Sequence, residues 1–280
     1  MIELALIAAL SQQKQPTAQD IKRTGADLSK IFSEAVKPKP GDNLWRPSKV
    51  TLTQLAKNTG GATRNLKGTG ATIKMIAQTS GGRATFDGVM RIGDNRHYRI
   101  DTFIIKPEPL TGIYLNNGTR RFAFVDGKFV PTGGIPSAQQ LPSATSDPVK
   151  LATLFPSEFG RIMFQGLTDG VDAWGPLFSA WASGVGGYKA KVEERVMNFQ
   201  GKKYLTYRVI AKRTEQAAKT FGKSTIEVRV DGARFLPVTM METRLDLKKK
   251  PWIVQWFAAY EFGRKFTDSD YAITTKATKK

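Results

Sequence analysis

Cysteine is absent from this sequence, and histidine occurs once, at His97. The lack of cysteine excludes disulfide bridges, thiolate metal sites and a lipid-modified cysteine in these 280 residues. A single histidine leaves few ways to build a metal centre or a proton relay. No apolar run approaches the roughly 18 residues that a membrane-spanning helix needs. Function must therefore rest on apolar contacts, on charge, or on both.

Acidic residues are also few. The chain has 24 Asp and Glu against 43 Lys and Arg, which gives a net charge of +19 and an isoelectric point near 10.1. Such an excess favours anionic partners such as nucleic acid, phospholipid head groups or other polyanions. A hydrophobic content of 40% over 280 residues is enough for a full core, so the sequence predicts a globular protein with a basic surface.

The usual catalytic motifs are missing. The sequence contains no Gly-any-Ser-any-Gly elbow, no His-Glu-any-any-His and no phosphate loop. Gly68-Thr69-Gly70 and Gly184-Val185-Gly186-Gly187 are incomplete as nucleotide loops. His97, Arg99 and Asp101 share one face of a predicted strand but have no recognisable nucleophile nearby, so His97 is predicted to be an exposed structural residue. We expect no enzyme activity, no catalytic residue, no metal site and no cofactor.

The first eleven residues allow two interpretations. An apolar run over residues 2–10 ends in Ala9-Leu10-Ser11, a triplet that a signal peptidase can cut, but no Lys or Arg precedes it. Residues 1–11 are therefore either a short or truncated export signal or the first turns of an ordinary helix. Residues 12–49 are predicted as an N-terminal amphipathic helix and a linker. The helix has Thr17 and Asp20 as a capping box, carries its apolar stripe as far as Ala35 and is ended by Pro38, and the linker covers residues 37–47.

Alternating apolar and polar residues predict two groups of antiparallel strands, with a short helical stretch around residues 51–57 before them. Segment 224–241 is the clearest case, because Ile226 and Val228 point one way while Glu227 and Arg229 point the other. Turns are predicted at 79–82, 93–95, 116–118, 126–127, 200–202 and 231–232. Each group should form a sheet with one apolar and one wet face.

A helical insert near residues 147–184 separates the two groups of strands. Residues 132–148 are rich in Gly, Pro, Ser, Ala and Gln and are predicted as a long connection. Trp174, Leu177, Phe178 and Trp181 then repeat at helical spacing until the glycines at 184, 186 and 187. Residues 50–270 are thus predicted as one domain, followed by a basic flexible tail over residues 271–280.

The predicted fold class is α+β, with a strongly curved antiparallel β-sheet and helices that cover its apolar side. The order of elements resembles the LolA-like family of periplasmic lipoprotein carriers and lipid-binding proteins, which includes outer-membrane lipoprotein-sorting proteins. The resemblance is carried by the strands over 66–130, the helices over 147–184, the Gln200-Gly201-Lys202-Lys203-Tyr204 hairpin and the strand-turn-strand stretch over 230–238. It implies a half-open barrel with a helical lid, and a non-enzymatic, exported carrier in the periplasm or outside the cell.

An apolar ligand would need a continuous apolar lining, because each buried methylene contributes about 0.8 kcal/mol and direction matters little. The candidate ligand-binding residues come from both sheet halves and the helical insert: Ile73, Met75, Phe86, Met90, Ile100, Phe122, Phe124, Phe178, Trp181, Trp252, Trp256 and Tyr260. Lys74, Arg83 and Arg91 are candidates for contacts with phosphate head groups or, more commonly, residues of solvated strand faces.

Three functions remain open at this point. The first is a carrier or sensor that binds lipid or the acyl chains of a lipoprotein, with transient contact to an anionic membrane surface. The second is a protein that binds nucleic acid or another polyanion through its basic surface. Against it, the aromatic residues of the last predicted strand do not alternate with Lys or Arg. The third is a module whose apolar groove takes a peptide or a partner protein.

Overall fold

The computed structural model describes residues 44–79, 82–94, 97–106, 110–125, 128–131, 174–199, 202–245, 247 and 251–273. The predicted export signal, the predicted helix over 17–35, the connection over 132–148 and the helices before residue 174 lie outside these ranges. The prediction of export therefore stays a prediction. No helix in the described ranges has the length and apolar character needed to cross a membrane.

Twelve antiparallel strands form one sheet in the described ranges. Their bounds are β1 Arg46–Pro47, β2 Thr69–Thr79, β3 Gly82–Ile92, β4 His97–Lys106, β5 Leu110–Asn117, β6 Arg121–Val125, β7 Lys128–Pro131, β8 Tyr188–Phe199, β9 Lys202–Arg213, β10 Lys223–Asp231, β11 Pro237–Leu245 and β12 Pro251–Glu261. Their order in the sheet is β1-β8-β9-β10-β11-β12-β2-β3-β4-β5-β6-β7. The two predicted groups of strands thus lie side by side, joined where β12 pairs with β2, and the sheet does not close into a barrel.

Three α-helices accompany the sheet in the described part of the chain: α1 Leu52–Arg64, α2 Trp174–Ala182 and α3 Glu215–Phe221. Helix α1 begins with a capping box, in which the Thr51 hydroxyl accepts from the Gln54 backbone N–H and the Gln54 side chain accepts from the Thr51 N–H. Helix α1 packs along α2, and both contact β8. The predicted α+β class with an open antiparallel sheet and covering helices is confirmed.

The register defines two faces of the sheet. Val209, Val228, Met240, Trp256 and Met75 are successive cross-strand partners, and the side that carries this row is called the inner face. It bears most of the core, together with residues of α1 and α2. The sheet also has two ends. The end at which β8, β10 and β12 begin is called the Tyr188 end, and the opposite one the Tyr260 end.

Most predicted turns are confirmed. Thr79 pairs with Gly82, Val125 with Lys128, and Phe199 with Lys202, as short hairpins require. The turn at Asp231-Gly232 is longer than predicted and continues to Leu236, with Phe235 at a φ of 56°. Glycine is needed at position 232 because a Cβ atom there would lie 2.7 Å from the Leu205 carbonyl oxygen.

Three further predictions need correction. Residues 46–47, predicted as linker, form edge strand β1, whose Pro47 limits further pairing at this edge. Helix α3 was not predicted; Thr214 caps it by accepting from the Ala217 N–H. Tyr271, predicted to belong to a flexible tail, is 5% exposed and lies in a 3₁₀ turn over Asp268–Tyr271 that contacts β4 and β5.

The outer face of β4 and β5 is buried around Arg99, Asp101, Ile113 and Leu115, although its polar residues predicted a wet surface. Asp101 accepts from Arg99 Nε at 2.8 Å and from Arg91 Nη1 at 2.6 Å, while Arg99 Nη1 donates to the Ala272 carbonyl oxygen at 2.9 Å. Arg91 is therefore an ion-pair partner of a buried carboxylate, and the predicted contact with a phosphate head group is wrong for it. His97 is half-buried beside the Asp94 carboxylate and the Tyr271 ring.

Candidate functional site

The predicted ligand-binding residues fall into three groups. Seven lie in the one buried cluster that the inner face forms with α1 and α2: Ile73, Met75, Met90, Ile100, Phe178, Trp181 and Trp256. Tyr260 is partly buried at the edge of this cluster and donates from its hydroxyl to the Pro237 carbonyl oxygen at 2.8 Å. Burial raises the pKa of the Tyr260 hydroxyl. The side chains of Phe86, Phe124 and Trp252 lie outside the described part of the structure.

Phe122 is the exception among the predicted residues. It pairs with Leu115, which pairs with Arg99 on the outer face, so Phe122 is on the outer face as well. The alternation of residues in the sequence correctly predicted strand β6, but Phe122 was predicted to lie on the inner face, which is wrong. A strand shows its period in the sequence, whereas its face depends on the register with its neighbours.

The buried cluster is tightly packed. Met90, Ile100 and Phe178 are 0% exposed, and Trp256 is 1% exposed, so none of them faces a space that water can enter. The inner face is less covered over β10 and β11, where Ile226 and Met240 are only partly buried. Glu242, the cross-strand partner of Ile226, is also partly buried. These three residues are called the cleft floor.

Helix α2 packs on the inner face of the sheet. Its underside presents Trp174, Phe178 and Trp181, which fall on one side because they recur at helical spacing. The Trp174 ring lies 5.7 Å from that of Trp256 in β12, and the Trp181 ring lies 6.1 Å from that of Tyr188 in β8. Aromatic contacts therefore attach this short helix to two separate strands of the sheet.

The contact between α2 and the sheet leaves two polar groups without partners. The indole N–H groups of Trp174 and Trp256 are buried, and neither donates a hydrogen bond to any atom in the described part of the structure. A buried donor without an acceptor costs about 1–3 kcal/mol. An oxygen atom that accepts a hydrogen bond from either indole N–H would therefore stabilise the protein.

A glycine segment follows α2. Gly184, Gly186 and Gly187 adopt left-handed φ angles of 72°, 70° and 70°, which other residues adopt only at a cost. At Gly187, a Cβ atom would also overlap the Cβ of Ala217 in α3. The connection from α2 to β8 therefore has a backbone conformation that requires glycine at these positions.

Replacement of Gly187 by Ala is expected to destabilise the protein by about 2–4 kcal/mol, because left-handed strain and overlap with Ala217 add together. Gly263→Ala is the matched control, since Gly263 has a φ of 71° but no atom within 4 Å of the position that an added methyl group would take. It should cost about 1–2 kcal/mol. Equal losses in urea unfolding would contradict the proposed packing of Gly187 on α3.

A row of polar side chains crosses the inner face at the Tyr188 end. Arg213 Nη2 donates to the Tyr188 hydroxyl at 2.9 Å, the Tyr188 hydroxyl contacts Ser224 Oγ at 3.1 Å, and Ser224 Oγ contacts Glu242 Oε1 at 3.1 Å. Arg213 Nη1 also donates to the carbonyl oxygens of Phe221 and Gly222 at the end of α3. A continuous hydrogen-bonded chain thus runs from Arg213 to the cleft floor.

This hydrogen-bonded chain was not predicted from the sequence, although one signal for it was present. Ser224 and Glu242 stand at positions whose neighbours two residues away, Ile226 and Met240, point inward. A polar residue at such a position must find a partner when the strand is buried. The pairing between strands was needed to see that Arg213 and Tyr188 supply it.

Glu242 is expected to make the stability of the protein depend on pH. Burial raises its pKa above the usual value near 4.5, against the opposing effects of Ser224, Arg244 and Arg213. The folded protein therefore holds this proton to higher pH than the unfolded chain, and the contribution of Glu242 to stability is lost as pH rises through the raised pKa. Glu242→Gln should remove this loss in urea unfolding measured across that range.

Glu193 on the outer face provides a control of opposite sign. Burial alone would raise its pKa, but hydrogen bonds from Lys191 and Arg208 lower it below the usual value near 4.5. Its contribution is present above that value and is lost as pH falls through the lowered pKa. Glu193→Gln should therefore weaken the protein near neutral pH. A Glu242→Gln variant that also weakens it there would contradict the assigned burial of Glu242.

An aromatic and basic cluster lies on the outer face of β8 to β10. The guanidinium carbons of Arg195, Arg208 and Arg229 lie 4.7, 4.4 and 5.9 Å from the centre of the Trp45 ring. Arg208 is paired with Glu193, and Arg229 Nε donates to Glu227 at 3.0 Å. The Trp45 ring and these positive charges thus share a face, but they contact one another, and Arg208 and Arg229 also pair with nearby carboxylates.

No cluster of three or more metal-ligating side chains occurs among the residues that the structure describes.

Comparison with known proteins finds similar solved structures but no similar sequence. No protein-family profile matches the sequence, and no curated protein sequence is significantly similar to it.

Three solved structures illustrate the likeness. They are the MucA/MucB complex of Pseudomonas aeruginosa, LprF of Mycobacterium bovis and a LolA superfamily protein of Nitrosomonas europaea, with sequence identities of 12%, 14% and 9% and TM-scores of 0.37, 0.37 and 0.33. The alignments cover 79%, 79% and 80% of this chain and 60%, 96% and 98% of those chains. The chain thus spans less than two thirds of the first of them. A LolA superfamily protein is thus among the solved structures to which this chain is similar.

Proposed function

We propose that the protein is a non-enzymatic carrier or sensor that binds acyl chains of a lipid or an acylated protein between helix α2 and the inner face of the sheet. The observation that carries the proposal is the contact between α2 and β12. There, Trp174 and Trp256 bury two indole N–H groups without acceptors in the described ranges, and on the same face Ile226 and Met240 of the cleft floor are only partly buried. A ligand with an apolar chain and an oxygen acceptor complements both features.

The energies of the closed and the liganded forms are comparable. Burial of the three aromatic side chains under α2 contributes about 2–3 kcal/mol each, or about 6–9 kcal/mol. An acyl chain that buries ten methylene groups contributes about 8 kcal/mol. Because the two values are similar, an acyl chain can replace the contacts of α2 with the sheet.

The predicted residues of the buried cluster form an apolar wall, which an acyl chain contacts once α2 has shifted. Met75, Met90 and Met240 suit such a wall, because methionine side chains adapt to irregular apolar ligands. The cleft floor is the part that a chain meets first, since its residues are already accessible. This wall contacts only the acyl chain, so it does not distinguish a free lipid from an acylated protein.

Binding of nucleic acid is less well supported. Stacking of bases needs accessible rings beside free positive charges. The outer-face ring of Trp45 is covered by arginines, two of which are paired with Glu193 and Glu227. The net charge of +19 still predicts weak, salt-sensitive attraction to any polyanion.

Native mass spectrometry before and after solvent extraction tests the proposal. The protein purified from cells should carry a mass that extraction removes and that lipid analysis identifies as acylated. In parallel, binding of a labelled oligonucleotide is measured at low and high salt. No extractable acyl compound, together with tight binding of the oligonucleotide, would reject the lipid carrier in favour of a polyanion-binding protein.

A further inference from the structure

The Tyr188 end of the sheet exposes an unusual amount of apolar surface. Among the residues that the structure describes, eight large apolar side chains are exposed, and four of them lie at this end. They are Val185 in the turn after α2, Phe221 at the end of α3, Leu245 at the end of β11 and Leu247 just after it, with exposed fractions of 61%, 54%, 38% and 64%. These four residues are called the apolar rim.

Basic residues surround the apolar rim. Lys189 and Lys212, which are cross-strand partners, are exposed at this end, as are Lys219 in α3 and Lys223 at the start of β10. Glu215 is also exposed here, so the described charges at this end are mostly positive. The polar row from Arg213 to Glu242 lies just inside the rim and leads to the cleft floor.

The two ends differ in how closely an arginine covers an exposed ring. At the Tyr260 end, the Phe262 ring stacks on that of Tyr260 and lies 4.4 Å from the Arg234 guanidinium carbon, whereas in the apolar rim the Phe221 ring lies 5.6 Å from the Arg213 guanidinium carbon. Two arginines of the Tyr260 end have acidic neighbours, since Arg234 lies 3.7 Å from Asp231 and Arg264 lies 3.6 Å from Glu261. Phe262 and these two arginines are therefore engaged with the protein itself, while Lys67 and Lys265 are exposed at this end as well.

We propose that the Tyr188 end docks on an anionic lipid surface, with the apolar rim inserted among the head groups and the four lysines over them. Exposed apolar side chains next to lysines match a surface that is negative outside and apolar beneath. Each lysine close to such a surface strengthens binding about fivefold. The net charge of +19 complements this surface. The inference goes beyond the proposed acyl-chain site, because docking does not require an occupied interior.

Vesicle flotation tests the docking surface. The full chain is mixed with vesicles of phosphatidylcholine alone or of phosphatidylcholine with phosphatidylglycerol, at low and high salt. We expect binding to the anionic vesicles that weakens with salt. Lys219→Gln combined with Lys223→Gln should weaken it about 25-fold, given about fivefold for each lysine. Phe221→Ser combined with Leu247→Ser should weaken it at least about tenfold.

Two controls sit at the Tyr260 end. Lys67→Gln combined with Lys265→Gln removes the same charge, and Phe262→Ser removes a similar exposed ring; both should leave vesicle binding within about twofold of the unchanged protein. Equal loss in these controls would overturn the assignment of the surface, and an unchanged protein that ignores anionic vesicles would overturn docking itself. Because the docking variants leave the cleft floor intact, they should retain acyl-chain binding in solution, which separates a failure of docking from a failure of the proposed function.

Discussion

Replacement of Met240 by Asp is expected to lower acyl-chain affinity at least about tenfold while the protein stays folded. A carboxylate on the cleft floor would have to lose its water when a chain covers it, and desolvation of an unpaired charge costs several kcal/mol. Because Met240 is only partly buried, the unliganded protein can accommodate the charge. Titration with a fluorescent fatty acid measures the affinity, and circular dichroism checks the fold.

Met241→Asp is the matched control. Met241 is the next residue in β11, is 40% exposed and faces the outer side of the sheet, where it contacts Gln255. The same charge at this position should leave affinity unchanged within about twofold, since less than about 0.5 kcal/mol is expected from a surface substitution. Equal weakening in the two variants would show that general charge, and not the cleft floor, governs binding.

Trp256→Ala should produce the largest loss of stability, about 3–5 kcal/mol, because it removes a fully buried ring that contacts α2 and two strands. Trp256→Phe should cost much less than this. It keeps a ring in place and removes a buried N–H that has no acceptor in the described structure, and loss of such a donor offsets part of the lost contact. Urea unfolding of both variants measures the difference.

The same Trp256→Phe variant separates two classes of ligand. If the indole N–H donates to an oxygen of the ligand, affinity for a fatty acid ester should fall about three- to tenfold, the equivalent of one hydrogen bond, while affinity for a hydrocarbon of equal length should not change. An equal change for both probes would mean that the indole group acts through packing alone.

The architecture was predictable from the sequence because its causes are local. The period-2 pattern and the short turns of β2 to β6 and β8 to β12 appear directly in the sequence, as does the helical spacing of Trp174, Phe178 and Trp181. The capping residues of α3 also stand in the sequence, as Thr214 followed by Glu215. They were missed because α3 has seven residues and no apolar stripe.

The details of the site depend on causes that are not local. The inner position of Phe122 was wrongly predicted because register with β5 decides the face. The burial of Arg99 and Asp101 depends on residues more than 150 positions away, where Ala272 supplies a carbonyl oxygen. The row of hydrogen bonds that links Arg213 to Glu242 likewise forms only when the four strands that carry its residues lie in register. Sequence patterns identified the apolar residues of the core, whereas the partial burial of Ile226 and Met240 is seen only in the folded protein.

The sharpest test of acyl-chain binding under α2 is cross-linking with a fatty acid that carries a photoreactive group along its chain. After illumination and digestion, mass spectrometry identifies the modified residues. We expect adducts on Ile226, Met240 and the underside of α2, and their loss when unlabelled fatty acid competes. Adducts confined to exposed residues such as Met241 or Phe221, or adducts that unlabelled fatty acid does not displace, would contradict binding between α2 and the inner face.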